Sequence, residues 1–121
     1  MSKYANYTIT RILGQDIDTF EFAGGDLYFD ARQVLSVIGE DFEKGFIEDE
    51  EQKAILDKMG FTSRVRSFTD DYGVKHQTMI VEDCCRLWAF CHFVKGNERA
   101  SKALSVALKV RDDNPPESFA A

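Results

Sequence analysis

In the first thirty residues, apolar side chains come in short alternating runs broken by turn formers. Tyr7–Leu13 (YTITRIL) is β-branched and aromatic, which predicts a strand. Gly14-Gln15-Asp16 predicts a turn. Thr19–Phe22 predicts a second strand with Phe20 and Phe22 on one face, because strand side chains alternate. Ala23-Gly24-Gly25-Asp26 predicts another turn before a third strand, Leu27-Tyr28-Phe29. These runs describe a small antiparallel meander.

From Asp30 the period changes to that of helices. Asp30 suits an N-cap, since its carboxylate accepts from free first-turn amides. Over Ala31–Ile38, Val34, Leu35 and Ile38 form one stripe, and Gly39 is the expected stop. Glu40–Gly45 is polar and predicts a loop or a single turn. Asp49–Met59 predicts a second helix with its acids in the first turn, an apolar edge of Ile55, Leu56 and Met59, and a stop at Gly60. Arg64–Thr69, Asp70–Gly73 and Val74–Ile80 then read as strand, turn and returning strand. Glu82–Val94 predicts a broadly apolar helix ended by Gly96. Asn97 caps a last helix, Glu98–Arg111, in which Ala100, Leu104, Ala107, Leu108 and Arg111 recur at helical spacing.

The order β-β-β-α-α-β-β-α-α groups strands and helices in blocks. It predicts an α+β fold in which a small antiparallel sheet, the meander plus the central hairpin, packs with about four short helices. Residues 1–111 form the expected domain. Residues 112–121, with two prolines and no periodicity, read as a flexible tail or linker stub.

Composition adds limits. The chain has 121 residues, 44% hydrophobic and 30% charged, which excludes whole-chain disorder. No apolar run approaches a membrane span and the first residues lack a signal-peptide core, so a cytoplasmic protein with no membrane partner is expected. The net charge of −6 is unevenly spread: residues 1–60 carry −7, whereas Arg64–Arg111 carries +4. The acidic balance disfavours nucleic acid at long range, while the second half can still present a basic face.

Four features offer candidate chemistry. Cys84, Cys85, Cys91 and His92 share one helix. Ligands two turns apart are about 10 Å apart and cannot chelate one ion alone. Core packing of thiols is therefore expected, with a thiol or zinc function as the weaker reading. In the hairpin, Arg64 and Arg66 alternate with Val65 and share a face. Lys75 and Gln77 share a face of the returning strand, and His76 takes the other. A two-stranded ribbon fits a DNA major groove, and the plainer reading is a solvated sheet face. On the last helix Arg99, Lys102, Lys109 and Arg111 suit either phosphate contact or the helix dipole. The acidic stretch Glu48-Asp49-Glu50-Glu51 lacks the alternation and central glycine of a calcium loop and reads as a charged helix start. With no phosphate loop and no placeable nucleophile, base and orienting group, neither catalytic residues nor cofactor nor metal are expected; the chain does not read as an enzyme.

The order and spacing resemble the BRO-N domain, the N-terminal module of phage antirepressors and baculovirus repeated-ORF proteins. The likeness runs from Phe20 to Arg111. It is carried by Phe20-Glu21-Phe22 followed by Leu27–Gly39, by Ile47–Lys53, by Thr78-Met79-Ile80-Val81-Glu82 and by Asn97–Leu104. The family's Gly-Gly hairpin is Asp70-Asp71-Tyr72-Gly73 here, and this chain is acidic where the family is often basic. The resemblance implies a phage-type regulatory domain that binds double-stranded DNA in transcription regulation. Its candidate contacts are Arg64, Arg66, Lys75, His76 and Lys102. The alternative is an interaction module, of antirepressor type, that binds a repressor protein or itself as a homodimer.

Overall fold

A computed structural model describes residue 4 and residues 6–113, without the side chains of 110–113. Five strands, β1 (Asn6–Ile12), β2 (Gln15–Glu21), β3 (Leu27–Asp30), β4 (Arg66–Thr69) and β5 (Lys75–Ile80), form one antiparallel sheet in the order β1-β2-β3-β5-β4. The helices are α1 (Ala31–Ser36), α2 (Glu50–Lys58), α3 (Val81–Lys95) and α4 (Glu98–Asp113). A π-helical turn spans Lys44–Glu48 and a 3-10 turn Thr62–Arg64. This is the α+β architecture expected, with the meander and the hairpin joined by pairing of β3 with β5. Among the described residues no helix is long and apolar enough to cross a membrane.

The β1–β2 turn differs from expectation. Ile12 pairs with Gln15, so the turn is Leu13-Gly14 and Gln15 already belongs to β2. Both turn residues have positive φ, +52° and +79°. A two-residue hairpin turn of this hand matches the twist of its strands, and Leu13 tolerates the conformation because its side chain packs on the core. Starting β2 earlier also brings Ile17 into the core and gives β1 a partner along its whole length.

Strand alternation divides the sheet into two faces. One carries Ile12, Ile17, Phe29 and Met79 into the main core with Val34, Leu87, Trp88, Ala100 and Ala103. The other carries Phe20, Phe22 and Phe68, which form a second, smaller core with Tyr4 and Tyr28.

The short α1 is held at both ends. Asp30 Oδ1 accepts from the amides of Arg32 (2.9 Å) and Gln33 (3.1 Å). Near its C-terminus, carbonyls lacking helical partners are met from α3 and α4. Trp88 Nε1 donates to Val34, Arg99 Nε to Val37 and Asn97 Nδ2 to Ile38, each at 2.9 Å. Asn97 also caps α4, as expected, by accepting from the Ala100 amide. Arg99 is exposed, in keeping with a solvated face, and its Nε also ties α4 to α1.

Two further expectations are corrected. The polar stretch before α2 is a turn rather than a loop, and it is not simply polar: Phe42 and Phe46 are buried and stacked 4.8 Å apart around the π-helical turn. On α2 only Leu56 of the expected apolar edge is buried. Ile55 and Met59 are exposed, because the helix lies at the periphery and touches the rest mainly through the π-helical and 3-10 turns. The last helix continues to Asp113, two residues into the expected tail; the rest of that tail, 114–121, lies outside the described residues.

Candidate nucleic-acid interface

Arg64 is not in a strand. It ends the 3-10 turn that follows Phe61, a fully buried aromatic, and its amide donates to the Phe61 carbonyl at 3.0 Å. Arg66 opens β4, and its guanidinium lies 4.7 Å from the ring centre of Phe22 and 5.6 Å from that of Tyr28. Val65 between them packs on the main core. Turn and strand together place both arginines, with Tyr28, Ile80 and Asp83, around one open groove of about 370 Å³. Both side chains are exposed. No ion pair among the described residues uses Arg64, Arg66, Lys75 or Lys102.

The other candidates do not join them. Thr78 pairs with Arg66, and His76 follows the same face two residues away. Lys75 therefore points to the opposite face of the sheet from Arg66, at the other end of the hairpin, roughly 10 Å along the strand. Lys102 is exposed on α4, which packs on α3 and reaches β1.

His76 shares the arginine face but is turned inward, its side chain 11% exposed. Its ring stacks on Phe68 and meets Phe20. Nε2 lies 2.9 Å from Asp70 Oδ2 and Nδ1 3.4 Å from Asp30 Oδ2. Asp70 also shapes the hairpin tip, accepting from the amides of Tyr72 (2.8 Å) and Val74 (2.9 Å). The hydrogen bond from His76, reinforced by these amides, holds the Asp70 carboxyl below its ordinary range. Beside Asp30, Asp18 accepts from Gln33 Nε2 (3.1 Å) and from the Tyr7 hydroxyl (2.5 Å). That bond pushes the Tyr7 hydroxyl up to about 12. Sequence reasoning missed this polar network. Its one local signal is the alternation of Asp16 and Asp18 around Ile17, which puts acids on the face opposite the core.

The cysteine helix packs as expected. Cys84 and Cys91 are buried beside Leu87 and Trp88, and Cys85 is half-buried. Burial pushes the Cys84 thiol well up and the Cys91 thiol up to about 11. A thiol held protonated is a poor nucleophile. The native protein at pH 8 is thus expected to react with an aromatic disulfide reagent at no more than one thiol, that of Cys85. All three react in denaturant. Rapid native reaction of two or more thiols would contradict the burial.

Comparison of the chain with protein families, with curated proteins and with solved structures finds no match.

Proposed function

We propose that this is a BRO-N-like regulatory domain that binds duplex DNA through its phosphates, with Arg64 and Arg66 as the main contacts. The observation that carries this reading is the groove those two arginines share, next to an aromatic sheet face. Neither is engaged by a carboxylate among the described residues. Stacking on Phe22 and Tyr28 restricts Arg66 before any partner arrives, so less freedom is lost on contact. Lys75 and Lys102 stand outside the groove, and His76 supports the sheet face from within.

The test is fluorescence anisotropy with a labelled mixed-sequence duplex at low and physiological salt. R64A/R66A removes two phosphate contacts. It is expected to lower the steepness of log K against log salt by about 2 and to weaken low-salt binding at least tenfold, on the order of one or more kcal/mol. K75A leaves both quantities unchanged. An unaltered salt slope in the double variant would sink the assignment.

A second reading, a protein-interaction module, is favoured by the outer edge of β1. Among the described residues this seven-residue strand has a strand partner on one side, and Tyr7 and Ile9 are 45% and 51% exposed. Absence of DNA binding even at low salt, with a stable protein complex or self-association in light scattering, selects it.

A further inference from the structure

We propose that Asp18, Asp30 and His76 form a binding site for one divalent transition-metal ion of the zinc class, with Asp70 orienting the imidazole. The three residues come from β2, the β3–α1 junction and β5, which the sheet brings together. Each offers one ligand atom, and these atoms all lie within 4.8 Å of one another.

Ligand by ligand, the geometry favours an ion. Asp70 Oδ2 lies at full hydrogen-bond distance from Nε2, and a ring proton held there makes Nδ1 an acceptor. The Nδ1 lone pair then faces Asp30 Oδ2 at 3.4 Å, in a pocket where both side chains are 11% exposed. In that tautomer the two acceptors leave a gap between them that a cation can bridge. Two ligands each about 2.1 Å from one ion at a tetrahedral angle stand about 3.4 Å apart, the separation observed. Asp30 Oδ1 is already held by the amides of Arg32 and Gln33, which leaves Oδ2 for the ion. Asp18 is steadied by Gln33 and Tyr7, and its carboxylate, within 4.8 Å of the other two ligand atoms, reaches the third position by a shift of about 1 Å or less.

The carboxylate–imidazole pair Asp70–His76 is the outer support that metal-bound histidines commonly show; it fixes the tautomer and raises ligand basicity. One imidazole and two carboxylates suit zinc, cobalt or manganese better than a soft, thiolate-seeking ion. Water would complete the coordination. Phe20 and Phe68 wall the ring and limit its rotation.

The test uses the full chain, freed of metal by a chelator and titrated with Zn2+ by calorimetry near neutral pH. One ion per chain is expected. H76Q and D18N lose it, and D70N, which keeps all three ligands, weakens it by about 10–100-fold. Circular dichroism establishes that each variant is folded. A reading that needs no variant follows the two imidazoles, His76 and His92, by long-range nitrogen–proton NMR. Zn2+ is expected to move Nδ1 of His76 and leave His92 in place. Failure of folded wild-type protein to bind Zn2+ overturns the proposal. So does binding that survives in H76Q, or Zn2+ shifts confined to His92. In each case His76 is left hydrogen-bonded between Asp30 and Asp70 without a metal. The DNA-binding reading stands or falls separately, on the arginine variants.

Discussion

Trp88→Ala is expected to destabilise the protein by about 3–5 kcal/mol and to lower the melting midpoint by more than roughly 10 °C. The indole is fully buried at the centre of the main core and lies against Phe29. Its removal leaves a large cavity and also takes away the donor that meets the Val34 carbonyl. Trp88→Phe separates the two effects: most of the volume returns, and the unmet carbonyl accounts for about 1–3 kcal/mol. Thermal melts followed by circular dichroism read both variants. A Trp88→Phe variant as stable as the parent would show that water takes over the indole's role, and that the link from α3 to α1 is packing alone.

That link was only half legible in the sequence. Trp88 fell on the apolar stripe of its helix with Leu87 and Cys84, so its burial followed from periodicity. Its partner did not, because nothing local says which helix end an indole nitrogen will meet. The same holds for Arg99. Its exposure follows from its place on a polar face, but its bond to α1 does not, because it arises only where the short helix ends beside α4. Elements with a clear period and clear stops, such as α1 after Asp30 and the hairpin around Asp70–Gly73, were found nearly in register. Errors came where composition misled the period. Acids around Phe42 and Phe46 hide the burial of those two rings, and Ile55 and Met59 suggest a buried edge that a peripheral helix does not need.

For the candidate interface, alternation along one strand suggested that Arg64 and Arg66 share a face. They do share a groove, but through a 3-10 turn followed by a strand, two backbones that alternation does not describe. Lys75 was grouped with them by nearness in sequence, although the register of β4 on β5 puts it on the other side of the sheet. His76 could not be placed from sequence either. Its carboxylate neighbours come from a strand end and a turn tip far apart along the chain. Residues joined by one hairpin are thus legible as neighbours, whereas a face assembled across β2, β3, β5 and β4 requires knowing the sheet order.

Phe20→Ala tests whether that opposite face is a core in its own right. Phe20 is 1% exposed although it points away from every helix of the main core. Its ring lies 4.9 Å from Phe68, 4.8 Å from His76, 5.2 Å from Tyr4 and 5.3 Å from Tyr7, measured between centres. Ring contacts therefore form much of its cover. Losing it is expected to destabilise by about 3–5 kcal/mol, comparable to Trp88→Ala, although the second core has far fewer members. Urea unfolding provides the measurement, and double variants sharpen it. Phe20 and Trp88 lie in separate clusters on opposite faces of the sheet. Their effects, measured each in a background stable enough to unfold cooperatively, are expected to add within about 0.5 kcal/mol. Phe20 and Phe68 are in direct contact, so that pair is expected to deviate from additivity by about 0.5–1.5 kcal/mol. A cost below about 1 kcal/mol for Phe20→Ala would mean that the neighbouring rings collapse into the space. The face would then be a mobile aromatic layer, too soft to hold His76 between Asp30 and Asp70 or Arg66 over its rings.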